Sequence, residues 1–128
     1  MKKKILIVVA NYYENIAKSL LNSAKSRIKN KYNIRVINVH GAFEIPVTIS
    51  KNLNKFNGFI ALGCVIKGQT PHFDFISKAT TDALMTLSLT SKKPVGNGVI
   101  TCLNKKQANE RGRKGSEAAE AVMSVLSQ

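Results

Sequence analysis

The chain has 128 residues, 44% of them hydrophobic, which is enough for one domain with one compact core, and no run is long enough to cross a bilayer. Twenty Lys and Arg against seven Asp and Glu give a net charge of +13, which raises the question of a nucleic-acid or anionic-surface partner. Arginine, the better reader of phosphate and base edges, occurs only at Arg27, Arg35, Arg111 and Arg113, and the lysines are scattered along the chain, so the pattern reads as solvated faces with no specific nucleic-acid partner.

Lys4–Ala10 is a continuous apolar run, as expected of a parallel strand covered on both faces. Its basic lead imitates a signal peptide, but the apolar stretch is short and runs into Asn11, Tyr12, Tyr13 and Glu14 with no small-residue cleavage site. A buried first strand in a cytoplasmic protein is the expectation. Glu14–Asn30 reads as a helix with Ile16, Ala17, Leu20, Leu21, Ala24 and Ile28 on one stripe. Ile34–Val39 is a second strand, rich in β-branched residues, and Ile45–Leu53 a short helix. Gly58–Cys64 is a third apolar strand, followed by the loop Val65–Pro71 and a long helix to about Ser91. Val95–Cys102 is a fourth strand, and Lys105–Arg111 and Ser116–Ser127 are closing helices separated at Gly112–Gly115. Strands alternating with helices of this length imply right-handed βαβ crossovers. The fold class is therefore α/β, a four-stranded parallel sheet between helix layers, forming one domain over residues 1–128. Cys64 and Cys102 lack metal-ligand spacing and read as reduced, buried thiols.

Ligands of such sheets bind beyond the carboxyl ends of the strands. The segments there are Asn11–Glu14, His40–Glu44, Val65–His72 and the stretch after Cys102. In Gly68-Gln69-Thr70-Pro71-His72, Thr70 suits a helix N-cap and Pro71 the first helical position. The N–H groups of Gln69, Thr70 and His72 would then face an anion, although most capped helices bind nothing. His72 in that first turn can take a proton and return it, as general acid–base work requires. One of Tyr12 and Tyr13 could offer its face to a flat heteroaromatic ring while the other packs inside, and the sequence does not choose between them. Glu44 could accept hydrogen bonds from sugar hydroxyls or simply start a helix. Arg111 could hold a phosphate in bidentate fashion or be an exposed charge. No GxxxxGK[ST] phosphate loop is present, and no acidic pair follows the first strand.

Three segments together resemble one family, the lumazine synthases: GAFEIP (Gly41–Pro46), ALGCVIKGQTPHFDFIS (Ala61–Ser77), and PVGNGVIT with the following QANER (Pro94–Thr101, Gln107–Arg111). The resemblance spans essentially the whole chain. It implies a flavodoxin-like three-layer sandwich with helices on both faces of the sheet. The implied activity joins 5-amino-6-(D-ribitylamino)uracil to 3,4-dihydroxy-2-butanone 4-phosphate in riboflavin biosynthesis, releasing phosphate and water, with no cofactor and no metal. It also implies a homo-oligomer, a pentamer or an assembly of pentamers, with active sites at subunit interfaces. By this resemblance Tyr12 is the aromatic platform for the pyrimidine, and Ala42, Phe43 and Glu44 form the ribityl-binding turn. Backbone groups at Val65, Ile66 and Lys67 hold the pyrimidine edge. Gln69 and Thr70 hold phosphate, completed by Arg111 of a neighbouring subunit. His72 transfers the proton, and Lys114 faces the same pocket. Several positions depart from the family pattern. His40 stands where proline is usual, Lys67 where arginine is frequent, and Asn97 where an aromatic residue of the adjacent subunit closes over the pyrimidine; the Gly112–Gly115 loop is short.

Overall fold

The computed structural model describes residues 2–128. In chain order these form β1 (Lys4–Ala10), α1 (Glu14–Ile28), β2 (Asn33–Val39), a short 3-10 turn at Ala42–Glu44, α2 (Ile45–Lys51), β3 (Gly58–Ile66), α3 (His72–Ser91), β4 (Val95–Cys102), α4 (Lys105–Glu110) and α5 (Lys114–Leu126). The strands make one parallel sheet in the order β2-β1-β3-β4. This is the α/β three-layer sandwich that the alternating pattern predicts.

The continuous apolar run of β1 supplies both faces of the sheet. Ile5, Ile7 and Val9 enter one core with the buried stripe of α1 and with Ala118, Ala119 and Val122 of α5. Leu6, Val8 and Ala10 enter a second core with Ile45 and Ile49 of α2 and Leu84 of α3. On the first face α5 lies against β4 where the strand has only hydrogen as a side chain. A Cβ at Gly98 would approach Leu62 Cδ2 to 2.5 Å, and one at Gly96 would strike the Ala118 carbonyl oxygen. The first-turn Gly115 likewise lets α5 lie on the Leu20 carbonyl of α1.

The structure shifts several element ends. α1 stops at Ile28, where Lys29 takes φ 53° and breaks the helical path. α2 ends at Lys51, and Asn52 Nδ2 donates to the Thr48 carbonyl at 2.8 Å as a cap. β3 runs two residues past Cys64, so Val65 and Ile66 are strand rather than loop, paired with Thr101 and Cys102 of β4. α5 begins at Lys114, two residues before the expected Ser116, which puts Lys114 in a helix. Thr70 is not the cap of α3. The first helical bonds, from Asp74 and Phe75 N–H, go to the Pro71 carbonyl (3.1 and 3.2 Å), and the Thr70 hydroxyl lies a long 3.5 Å from His72 N.

Candidate functional site

The strand order reverses direction between β1 and β3: the chain leaves β1 for β2 on one side and returns to β3 on the other. Such a switch point opens a crevice at the carboxyl edge. The β1–β3 ladder stops at Val9–Leu62, while β3 continues to Ile66. The β1-facing edge of the last β3 residues therefore has no strand beside it, and its backbone donors and acceptors face the crevice.

A cleft of about 580 Å³ occupies this place. Its aromatic wall is built by the turn after β1. Tyr12 is 64% exposed and is flanked by two rings nearly perpendicular to it, Tyr13 at 4.9 Å and 82° and His40 at 5.6 Å and 88°. These edge-on contacts fix the Tyr12 ring while leaving it accessible for stacking. Tyr13 takes the inward role. Burial, then Tyr12 and Cys64, push its phenol up from the ordinary range, and Lys105 Nζ stands 5.9 Å from its ring centre.

The turn after β2 forms the second wall, with Gly41, Ala42, Phe43 and Glu44. Glu44 Oε1 accepts the Gly41 N–H at 2.9 Å, which closes the turn and fixes the carboxylate. Its other oxygen is left for a hydroxyl donor. Cys64, Val65 and Ile66 line the base, and His72 and Ile76, from the first turns of α3, form the third wall. The Cys64 thiol is pushed up to about 12 by burial and by the neighbouring Cys102, so it stays protonated at neutral pH and is no nucleophile.

Seven of the predicted residues thus meet in one cleft: Tyr12, Ala42, Phe43, Glu44, Val65, Ile66 and His72. Lys67, Gln69 and Thr70 do not line it; they lie in the exposed connection between two residues that do, Ile66 and His72. The Lys67 N–H is not available to a ligand, because it donates to the Cys102 carbonyl at 2.9 Å and extends the sheet ladder. Arg111 and Lys114 line a separate cleft of about 610 Å³ on the outer side of β4, with Val99 and Thr101. There Arg111 Nη1 donates to the Thr101 carbonyl at 3.2 Å, and Lys114 pairs with Glu117 at 3.6 Å. Asn97 is on the same exposed face of β4 as Thr101, with its Oδ1 accepting the Val99 N–H at 3.0 Å. Sequence reasoning left Cys64 in the core and set His40 aside as a departure. The signal for both was position, since each lies at or beside a strand's carboxyl end. Among the described residues no group of three or more His, Cys, Asp or Glu could hold a metal ion, and no helix is long and apolar enough to cross a membrane.

A family model described as 6,7-dimethyl-8-ribityllumazine synthase matches residues 2–128. Relatives carrying that same name include a Bartonella tribocorum protein, 39% identical over 98% of this chain and 91% of its own length. An Agrobacterium fabrum protein is 38% identical over 98% of this chain and 93% of its own. One from Buchnera aphidicola subsp. Baizongia pistaciae is 39% identical, covering 98% and 86% respectively.

Proposed function

The chain belongs to the 6,7-dimethyl-8-ribityllumazine synthase family, transferases of riboflavin biosynthesis, and from that premise we propose that it condenses 5-amino-6-(D-ribitylamino)uracil with 3,4-dihydroxy-2-butanone 4-phosphate. The observation that carries the reading is the switch-point cleft, where an accessible ring, an unpaired strand edge, a fixed carboxylate and an imidazole converge. Tyr12 stacks on the pyrimidine. The free edge at Val65 and Ile66, with the Lys67 carbonyl, pairs with its amide groups. Ala42, Phe43 and the free oxygen of Glu44 receive the ribityl chain. The phosphate sits at Gln69 and Thr70, at the start of α3, where N–H groups and the helix dipole favour an anion.

In this reading the 5-amino group adds to the ketone and water leaves, giving an imine. His72 takes the proton from the adjacent carbon as the enamine forms, and the carbon–oxygen bond to phosphate breaks. The enol left behind becomes a ketone by moving its proton to carbon, the ribitylamino nitrogen adds to that carbonyl, and a second water leaves as the ring closes. Most of the acceleration comes from holding two reactants in a productive pose, and anion stabilisation of the departing phosphate comes second.

Arg111, Lys114 and Asn97 act in this reading on a neighbour's cleft. The support is their place beside β4, the outer strand of the sheet and away from the cleft between β1 and β3, where a cyclic assembly would bring them against the switch-point cleft of the next copy. The active form is then a homopentamer or an assembly of pentamers, working in the cytoplasm without cofactor or metal.

Purified protein mixed with both substrates is expected to form the fluorescent lumazine; a rate no higher than the uncatalysed background rejects the activity. Arg111→Ala is expected to raise KM for the sugar phosphate roughly tenfold or more, the scale of a hydrogen bond to a charged group, and KM for the pyrimidine far less. An equal rise in both would remove Arg111 from the phosphate site.

A further inference from the structure

The lysines that are scattered in sequence are gathered in space. Strand register pairs Lys4 with Asn33, Ile5 with Gly58 and Phe59 with Val95, so all four strands begin together at one edge of the sheet. The lead-in to that edge carries Lys2, Lys3 and Lys4, and the α1–β2 connection adds Lys29 and Lys31. Lys51 and Lys55 come from the end of α2 and the turn after it, and Lys92 and Lys93 from the α3–β4 connection. None of the seven Asp and Glu side chains lies in these segments. Among the described residues none of these lysines is in an ion pair; the pairs found are Arg27–Glu120, Lys78–Asp82 and Lys114–Glu117.

Helix dipoles explain part of this clustering, because helix ends that gather here favour cations. Lys3 donates to the Leu126 carbonyl at 2.7 Å, and Lys93 to the Leu53 carbonyl at 2.5 Å. Lys4, Arg35 and Lys55 answer no such need. With the amides of Asn33 and Asn54 they rim a groove of about 550 Å³ over Ile34 and Phe56. No carboxylate lines this groove, which lies at the opposite end of the strands from the switch-point cleft.

We propose that this amino edge is a binding face for single-stranded nucleic acid, held through its phosphate backbone without sequence preference. Clustered cations facing no carboxylate attract phosphates and release their counterions. Amide groups beside them can donate to phosphate oxygens. Arg35 is the one arginine on the groove, so at most one base can be read in bidentate fashion, too few to read a run of bases. An anionic membrane fits less well. Of the exposed large apolar side chains, Leu89 in the last turn of α3 and Val125 in the last turn of α5 lie toward this edge, but they stand on separate helices and neither lines the groove, which leaves no continuous apolar face beside the cations to enter an acyl layer.

The test is anisotropy of a labelled oligouridylate with the full chain over a salt series. Binding at about 150 mM salt with a dissociation constant in roughly the micromolar range is expected, weakening linearly in log–log form. Replacing Lys4, Arg35 and Lys55 by Gln is expected to make the slope shallower by about 2, at roughly 0.7 per phosphate contact on a single strand. A control triple, Lys18→Gln, Lys78→Gln and Lys106→Gln, removes the same charge elsewhere and should leave the slope near that of the unaltered chain. Equal losses in both triples would reduce the effect to net charge and overturn the proposal. So would binding to anionic phosphatidylserine vesicles but not to RNA, or no binding to RNA at 150 mM salt. If the edge triple fails to fold, the single Lys55→Gln change in an exposed turn carries the test, with a slope change of about 0.7. Lumazine formation should be the same in the edge variants and the unaltered chain, so loss of RNA binding and loss of the proposed reaction are read separately.

Discussion

The two faces of the sheet are finished to different degrees. Under α1 and α5 the core is complete within one chain. The stripe Ile16, Ala17, Leu20, Ala24 and Ile28 is buried, and glycines at 96, 98 and 115 let α5 settle against backbone. On the other face α3 is the longest helix, 20 residues, yet only Thr80 and Leu84 are buried. Phe75, Met85 and Leu89 are 69%, 60% and 70% exposed. Single exposed apolar side chains are ordinary, but several on one long helix make a larger open apolar surface, the kind that protein contacts use. One face is thus closed within the chain, while the other leaves large apolar side chains open.

The finished face should be the less tolerant. Gly115→Ala places a methyl group on the Leu20 carbonyl oxygen, and backbone there cannot yield without parting α1 from α5. A loss of about 3 kcal/mol is expected, at the upper end of ordinary overpacking, read as a lowered urea midpoint. Gly68→Ala is the matched control. A Cβ there meets nothing within 4 Å, so its midpoint should hardly move. If both variants melted alike, close helix contact would not be what holds this face.

The unfinished face should respond in the opposite way. Leu89→Glu leaves the protomer's own core intact, and surface changes of this kind usually shift stability by no more than about 0.5 kcal/mol. Sedimentation velocity should nevertheless show a smaller assembly than the unaltered chain forms, because an interface would have to bury the new carboxylate. An unchanged mass would mean that the α3 face is not where copies meet.

How far each part was legible follows the same division. The strands announced themselves because a run buried on both faces carries no polar interruption, as in Lys4–Ala10. Helix ends were less legible. Thr70 is a good cap by type, but the backbone turns one residue later and Pro71 takes the place, a matter of tertiary position that composition does not encode. Tyr12, Glu44 and His72 could be placed at one edge from the element order alone. That Tyr12 rather than Tyr13 is outermost required knowing which ring packs toward Cys64. The spatial grouping of charge was the least legible. Lysines at 4, 31, 55 and 93 look dispersed until parallel register brings their segments to one edge.

The smallest effect concerns the pair of thiols, which belongs to the finished face. Cys102 is buried and Cys64 half-buried beside it. Burial, then the proximity of Cys102, holds the Cys64 proton to about pH 12, against an ordinary value of 9.0. The folded chain therefore keeps a proton that the unfolded chain gives up. The stability linked to this site is complete below pH 9 and is lost progressively as pH rises toward 12. Cys64→Ala removes that linkage. Between pH 8 and about 10.5 its denaturation midpoint should fall less steeply than that of the unaltered chain, although lysine titration lowers both near the top of the range. Parallel curves would mean that the thiol is as free to ionise in the fold as outside it, and that this end of the α1–α5 core is open to water.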